Sequence, residues 1–256
     1  MEYVNLYTRQ HENSIYELKN KGVIQNKRLY VGLHMKDISD FFLEKYDYFV
    51  KMASQIVPKP DEISYPIWCS VSKENCLKPI HKEVVYAMTV PKSEVIYFDG
   101  AKWDLVLNNQ YVPLDAGDEK RFEKELKSRG IDHSFNIFDR KYNEMYDDIR
   151  EKIVNSWERI FEITDRSEFV VQANLWQIKE EWIKHIIYPG DDFFEVVKDM
   201  EETWISKFCV YFANAARFAR SFLPRTHLYS SVAHSLYFAL FIKIFRKIQF
   251  ANGFSI

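Results

Sequence analysis

Apolar and polar positions change rhythm several times along the chain, and each change marks an element. Leu6 and Tyr7 open a short strand that runs into a polar knot, Thr8-Arg9-Gln10-His11, which reads as a turn at the strand end. Ile15 and Leu18 then share one helical face, and Gly22 closes that helix. From Leu29 to Val57 the pattern predicts a second helix, with Asp37 or Ser39 as its cap. Phe41, Phe42, Tyr46, Phe49, Val50 and Ala53 fall near helical spacing there, and Pro58-Lys59-Pro60 stops it.

Short β-branched and aromatic runs follow. Pro66 to Val71, Val84 to Val90, Val95 to Phe98 and Phe169 to Trp176 each predict a strand, and Pro79, Pro91 and Gly100 punctuate the first three. Trp103 to Leu107 with Tyr111-Val112 is expected as a weak strand or turn region. Asp115 to Gly130 is densely charged and predicts a solvated surface helix, a peripheral insertion. Tyr142 to Ile163 carries Ile149, Ile153, Trp157, Ile160 and Phe161 at three- and four-residue steps, an amphipathic helix. Trp182 to Tyr188 is either a last strand or a helical turn before Pro189-Gly190. Strands and helices mix without a regular βαβ rhythm, which predicts an α+β fold: a small split antiparallel or mixed sheet with flanking helices over residues 1–195.

Residues 196–256 differ in kind. Phe208 to Phe222 and Leu228 to Phe250 are apolar almost all round and predict a C-terminal helical extension. From Thr203 to the end there is no Asp or Glu, while seven Lys and Arg give +7; the net charge of −2 therefore leaves −9 on the rest. Opposite signs favour docking of the tail on the body, with attraction to phosphates of nucleic acid or anionic lipid as the alternative. Residues 226–242 lack Lys, Arg and acids but fall short of the roughly twenty apolar residues of a membrane span, so a buried helical hairpin is expected there, with a membrane-associated accessory protein anchored by this tail as the alternative.

Composition narrows the class. Hydrophobic content of 47% and charged content of 28% belong to a folded globular protein. An aromatic share of 16% predicts a ring-lined core and a ring-lined binding site. Three cysteines, Cys69, Cys76 and Cys209, without CxxC spacing argue against a disulfide framework or zinc site. With no leader-like start, they predict a cytoplasmic protein. Phosphate-binding glycine loops, HExxH and GxSxG are absent, and the scattered histidines lack metal-ligand spacing, so no metal is expected.

Four constellations offer chemistry. Arg9 and Gln10, with Thr8, read either as a fork of donors for a phosphate, ribose or amide, or as a cap and turn with Arg9 ion-paired at the surface. Trp68 and Ser70 supply a ring and a hydroxyl, or Trp68 is core packing. Glu158 beside Arg159 is a surface ion pair or a polar pocket wall. Gln172 sits in an apolar strand, where an amide must find partners or cost stability.

The ordered motifs LYTRQHE, YPIWCS, VPKSEVIYFDGAKW, NSWERIF and QANLWQIKEEW resemble a family of uncharacterised bacterial proteins, the domain of unknown function 3841, over about Leu6 to Ile187. More distantly, the opening LYTRQ…LKNKGVI is similar to the first strand and helix of ADP-ribosyltransferases. That resemblance implies NAD as cofactor, with Arg9 and Gln10 on it and Trp68 and Ser70 near its nicotinamide side. It also implies a protein or nucleic-acid acceptor. It sets Gln172 at the strand position of the usual catalytic Glu, with Glu158 as the acid that would substitute. The alternative is a module that binds nucleic acid or protein without catalysis.

Overall fold

A computed structural model describes residues 2–26, 39–132, 134–138, 145–166 and 168–200. The tail extension, including residues 226–242, the remainder of the predicted helix over 29–38, and Cys209 lie outside the described residues.

The opening stretch is one strand, β1 (Tyr3–His11), and the expected turn at Thr8–His11 is its continuation. Two partners make this permissible for such polar residues. β4 (Glu83–Pro91) pairs antiparallel with β1 along its whole length, from Tyr3↔Pro91 to His11↔Glu83, so the backbone is satisfied. Buried acceptors and an opposite charge then take the side chains, as described below. Helix α1 (Asn13–Lys21) follows and ends where Gly22 turns left-handed at φ +70°, its N–H bonded to the Leu18 carbonyl. β2 (Val23–Gln25) leaves Gly22 to pair with β7 (Gln177–Lys179) in a separate two-stranded ribbon.

The main sheet has six strands in the order β5-β6-β3-β1-β4-β8, where β3 is Ile67–Ser70, β5 Ile96–Asp99, β6 Val171–Leu175 and β8 Ile183–Ile187. The pairings β1–β3, β1–β4, β3–β6 and β4–β8 are antiparallel, and β4 bulges between Ala87 and Met88 against β8. Sheet and helices together make an α+β fold. Helix α2 (Ser39–Ala53) carries Tyr46 and Phe49 onto Trp68, with ring centroids 5.1 and 5.4 Å apart. On β1 and β4 the apolar residues Tyr7, Val85 and Ala87 join Ile187 of β8 and Phe193, Val197 and Met200 in one buried cluster. Phe193 opens the short helix α6 (Phe193–Val196), whose first turn is capped by the Asp192 carboxylate. The buried thiols of Cys69 and Cys76 are free, and burial pushes Cys76 up to about 12.

The chain divides into two compact units, Met1–Tyr97 with Arg166–Ile256, and Phe98–Asp165. In the second, Trp103–Leu107 is helical where a strand or turn was expected. Helix α3 (Gly100–Leu107) starts because the Asp99 carboxylate accepts the N–H groups of Ala101 and Lys102. Helix α4 (Ala116–Ser128) is more than a solvated insertion, since Phe122 and Leu126 are buried and Phe122 stacks on Tyr111 at 4.2 Å. Within the stretch 142–163, α5 (Asp147–Ser156) runs directly into a 3-10 turn, Trp157–Phe161; residues 139–144 lie outside the described residues.

Candidate functional site

Alternation along β1 sends neighbouring side chains to opposite faces of the sheet. Arg9 and Gln10 are therefore not one fork. Gln10 shares its face with Thr8: its Nε2 donates to Thr8 Oγ1 at 2.8 Å, and that hydroxyl donates to the Trp68 carbonyl at 2.7 Å. Both residues are buried, and these two donors are spent within the sheet.

Arg9 points to the other face. It is only 7% exposed, far from the surface ion pair considered above, and its Nε lies 2.7 Å from a carboxylate oxygen of buried Glu83. Its Nη1 donates to the Lys78 carbonyl at 3.1 Å. Burial raises the Glu83 carboxyl above its ordinary range, with Arg9 opposing that shift. Lys78 is itself held, its Nζ donating to the Lys73 carbonyl at 2.6 Å and lying 3.5 Å from the Phe193 ring centroid and 4.4 Å from that of Phe194. Burial lowers its ammonium below the usual lysine range. His11, cross-strand from Glu83, is buried and its pKa is lowered for the same reason; Nδ1 accepts the Asn13 N–H, which leaves the proton of the neutral ring on Nε2.

Register carries the Arg9 face across three adjacent strands. Tyr7, two residues before Arg9, pairs with Ser70; Ser70 pairs with Gln172; Trp68 pairs with Asn174. Arg9, Trp68, Ser70 and Gln172 thus share a face, and Thr8 and Gln10 do not. Ser70 is half-buried and its hydroxyl donates to the Ser72 carbonyl at 2.8 Å. Trp68 is buried against Tyr46 and Phe49. Gln172 is half-buried. Glu158 belongs to the second unit, exposed on the 3-10 turn.

Two residues of this face escaped the sequence reading. Glu83 could be matched to Arg9 only through the β1–β4 register, which no local pattern encodes. Asn174 was legible: it stands two residues after Gln172 in a strand, so period two puts both amides on one side. It is 0% exposed, and neither its Oδ1 nor its Nδ2 has a hydrogen-bond partner. Among the described residues no group of three or more His, Cys, Asp or Glu could hold a metal ion, and no helix is long and apolar enough to cross a membrane.

What the face can do follows from its groups. A guanidinium fixed by a carboxylate and a carbonyl is a preoriented cation, suited to phosphate or carboxylate. Beside it lie an indole, a hydroxyl and two carboxamides, groups that read planar, hydrogen-bonding ligands. The two polar side chains of β6 on this face, Gln172 and Asn174, are amides, which cannot take up a proton or carry negative charge.

No curated protein and no solved structure matches the chain. A family model described as a domain of unknown function (DUF3841) matches residues 5–184, a span that includes β3, β4, β6 and β1 from Asn5 onward, and with them Arg9, Trp68, Ser70 and Gln172. The chain belongs to that family.

Proposed function

We propose that this domain binds NAD or a related nucleotide along the Arg9 face, as the likeness of its opening strand and helix to ADP-ribosyltransferases implies. One observation supports this above the others: register brings Arg9, Trp68, Ser70 and Gln172 from three adjacent strands onto one side of the sheet. Arg9 supplies the cation for a phosphate, and the ring and amides supply the contacts to a heterocycle.

Binding without transfer is favoured over transfer. Departure of nicotinamide leaves developing positive charge on the ribosyl carbon, which a carboxylate stabilises and an amide does not. The resemblance would set that carboxylate on β6, which carries Gln172 and Asn174. Transfer to a protein or nucleic-acid acceptor is the reading that turnover would restore.

The test is calorimetric titration of the full chain with NAD and ADP-ribose, alongside proton NMR of NAD over hours. Both ligands should bind, and the nicotinamide resonances should stay those of intact NAD. Arg9→Lys keeps the charge opposite Glu83 but loses the planar fork, and should weaken binding at least tenfold while the protein stays folded. Equal affinity of this variant and the native protein would remove Arg9 from the site. Release of nicotinamide would convert the reading to transfer.

A further inference from the structure

A cavity of about 580 Å³ lies at the opposite end of β1 from Arg9, lined by Tyr3, Thr89, Pro91, Glu181, Trp182 and Lys184, all of the first unit. That volume is within the range of small-molecule sites. Its position follows from the sheet. Tyr3 pairs with Pro91 at the end of the β1–β4 ladder, and a 3-10 turn, Glu180–Trp182, leads into β8 beside them. The register shift opposite Ala87 and Met88 leaves Lys184 without a cross-strand partner, a device that re-aims a side chain at a sheet edge. Between this corner and Arg9 stands Tyr7, packed in the buried cluster with Phe193 and Val197, so the two sites are separate.

Two rings and two opposite charges make up most of the lining. Trp182 is buried and Tyr3 exposed, so one ring forms the floor and the other the rim. Glu181 and Lys184 are both exposed. They stand three residues apart, yet among the described residues neither side chain has an ion-pair or hydrogen-bond partner, and nor has the Tyr3 hydroxyl. The Thr89 hydroxyl donates to Asn5 Oδ1 at 2.8 Å, which leaves its lone pairs to accept.

We propose that this cavity binds an α-amino acid with a large apolar side chain. The ligand's ammonium pairs with Glu181, its carboxylate with Lys184, and its side chain packs against Trp182 and Tyr3 beside Pro91. Each simpler ligand fails on one group. An anion meets the Glu181 carboxylate, a cation meets the Lys184 ammonium, and a neutral molecule draws both charges from water without pairing either. The assignment uses none of the residues of the nucleotide reading and stands or falls apart from it.

The experiment titrates the full chain by calorimetry with L-phenylalanine, 3-phenylpropionate, which lacks the ammonium, and phenethylamine, which lacks the carboxylate. Phenylalanine should bind saturably, and each analogue about tenfold more weakly. Glu181→Gln should make phenylalanine and phenylpropionate bind alike, and Lys184→Gln should do the same for phenylalanine and phenethylamine. Tyr3→Ala should weaken all three ligands. These three side chains are exposed, so the variants should melt as the native protein does. Absence of saturable phenylalanine binding overturns the proposal. So does equal affinity for the three ligands, or discrimination that survives unchanged in both charge variants. Saturating NAD should leave the phenylalanine affinity as it is; competition between them would make the cavity part of the nucleotide site and overturn the assignment.

Discussion

Removing one side chain of the Arg9–Glu83 pair is costly. Both groups are almost completely buried, so deleting one leaves the other as an uncompensated charge. Arg9→Ala should destabilise the fold by about 3–5 kcal/mol in urea denaturation at pH 7. Much of that loss should be recovered in the double variant Arg9→Ala/Glu83→Gln, since the buried negative charge is then gone. The same pair sets a pH dependence. Glu83 titrates above its ordinary value of 4.5 because burial disfavours its charged form. The folded state therefore holds this proton more tightly than the unfolded chain. Its contribution to stability is complete below 4.5 and is lost as pH rises through the folded value. Denaturation midpoints measured across that range should fall with rising pH in the native protein, and less so in Glu83→Gln.

At the scale of elements, aspartate caps mark where α3, α4 and α6 begin. Asp99 holds the first turn of α3 through two backbone N–H groups at 2.9 and 3.0 Å, so Asp99→Ala should cost about 1 kcal/mol and Asp99→Asn much less. One turn further on, Asp104 is half-buried and burial pushes its carboxyl up to about 7. Stability from its neutral form is complete below 3.8 and disappears as pH rises to about 7. Asp104→Asn should retain that stability at pH 8, which thermal melts of the two proteins will register, and carboxyl NMR should place the native titration near neutrality. These caps also explain what the sequence disclosed. The strands over 66–71, 84–90 and 169–176 were legible because β-branched and aromatic runs have few other uses. Trp103–Leu107 misled because its apolar run has no period, and the Asp99 cap that makes it a helix sits before the run. Thr8–His11 misled more seriously. A polar quartet normally closes a strand, and the distant Glu83 carboxylate and the Lys78 and Trp68 carbonyls make it tolerable inside one. Pairings across seventy residues leave no local trace, so the Arg9 face was half visible: its residues could be named, but not which of them share a side.

For the whole molecule, strand order sets the gradient of local stability. β1 and β4 have neighbours on both sides, whereas β8 ends the sheet and meets β4 across a bulge. Native-state hydrogen exchange should find the slowest amides in β1 and β4, with β8 opening earlier. The family match stops at residue 184, before the acid-free stretch from Thr203 onward, so the Arg9 face lies within the shared domain and the +7 charge outside it.

Strict alternation in β1 also limits how such a gene can diverge. Inserting or deleting one codon between Leu6 and Arg9 would rotate every following side chain through the sheet. Arg9 would leave Glu83 for the side of Tyr86, and Thr8 or Gln10 would be thrust against a buried carboxylate. Substitutions along this strand can be sampled one at a time. A change in its length alters both faces at once, so lineages that keep the domain should vary in the spelling of these nine residues and hold their number constant.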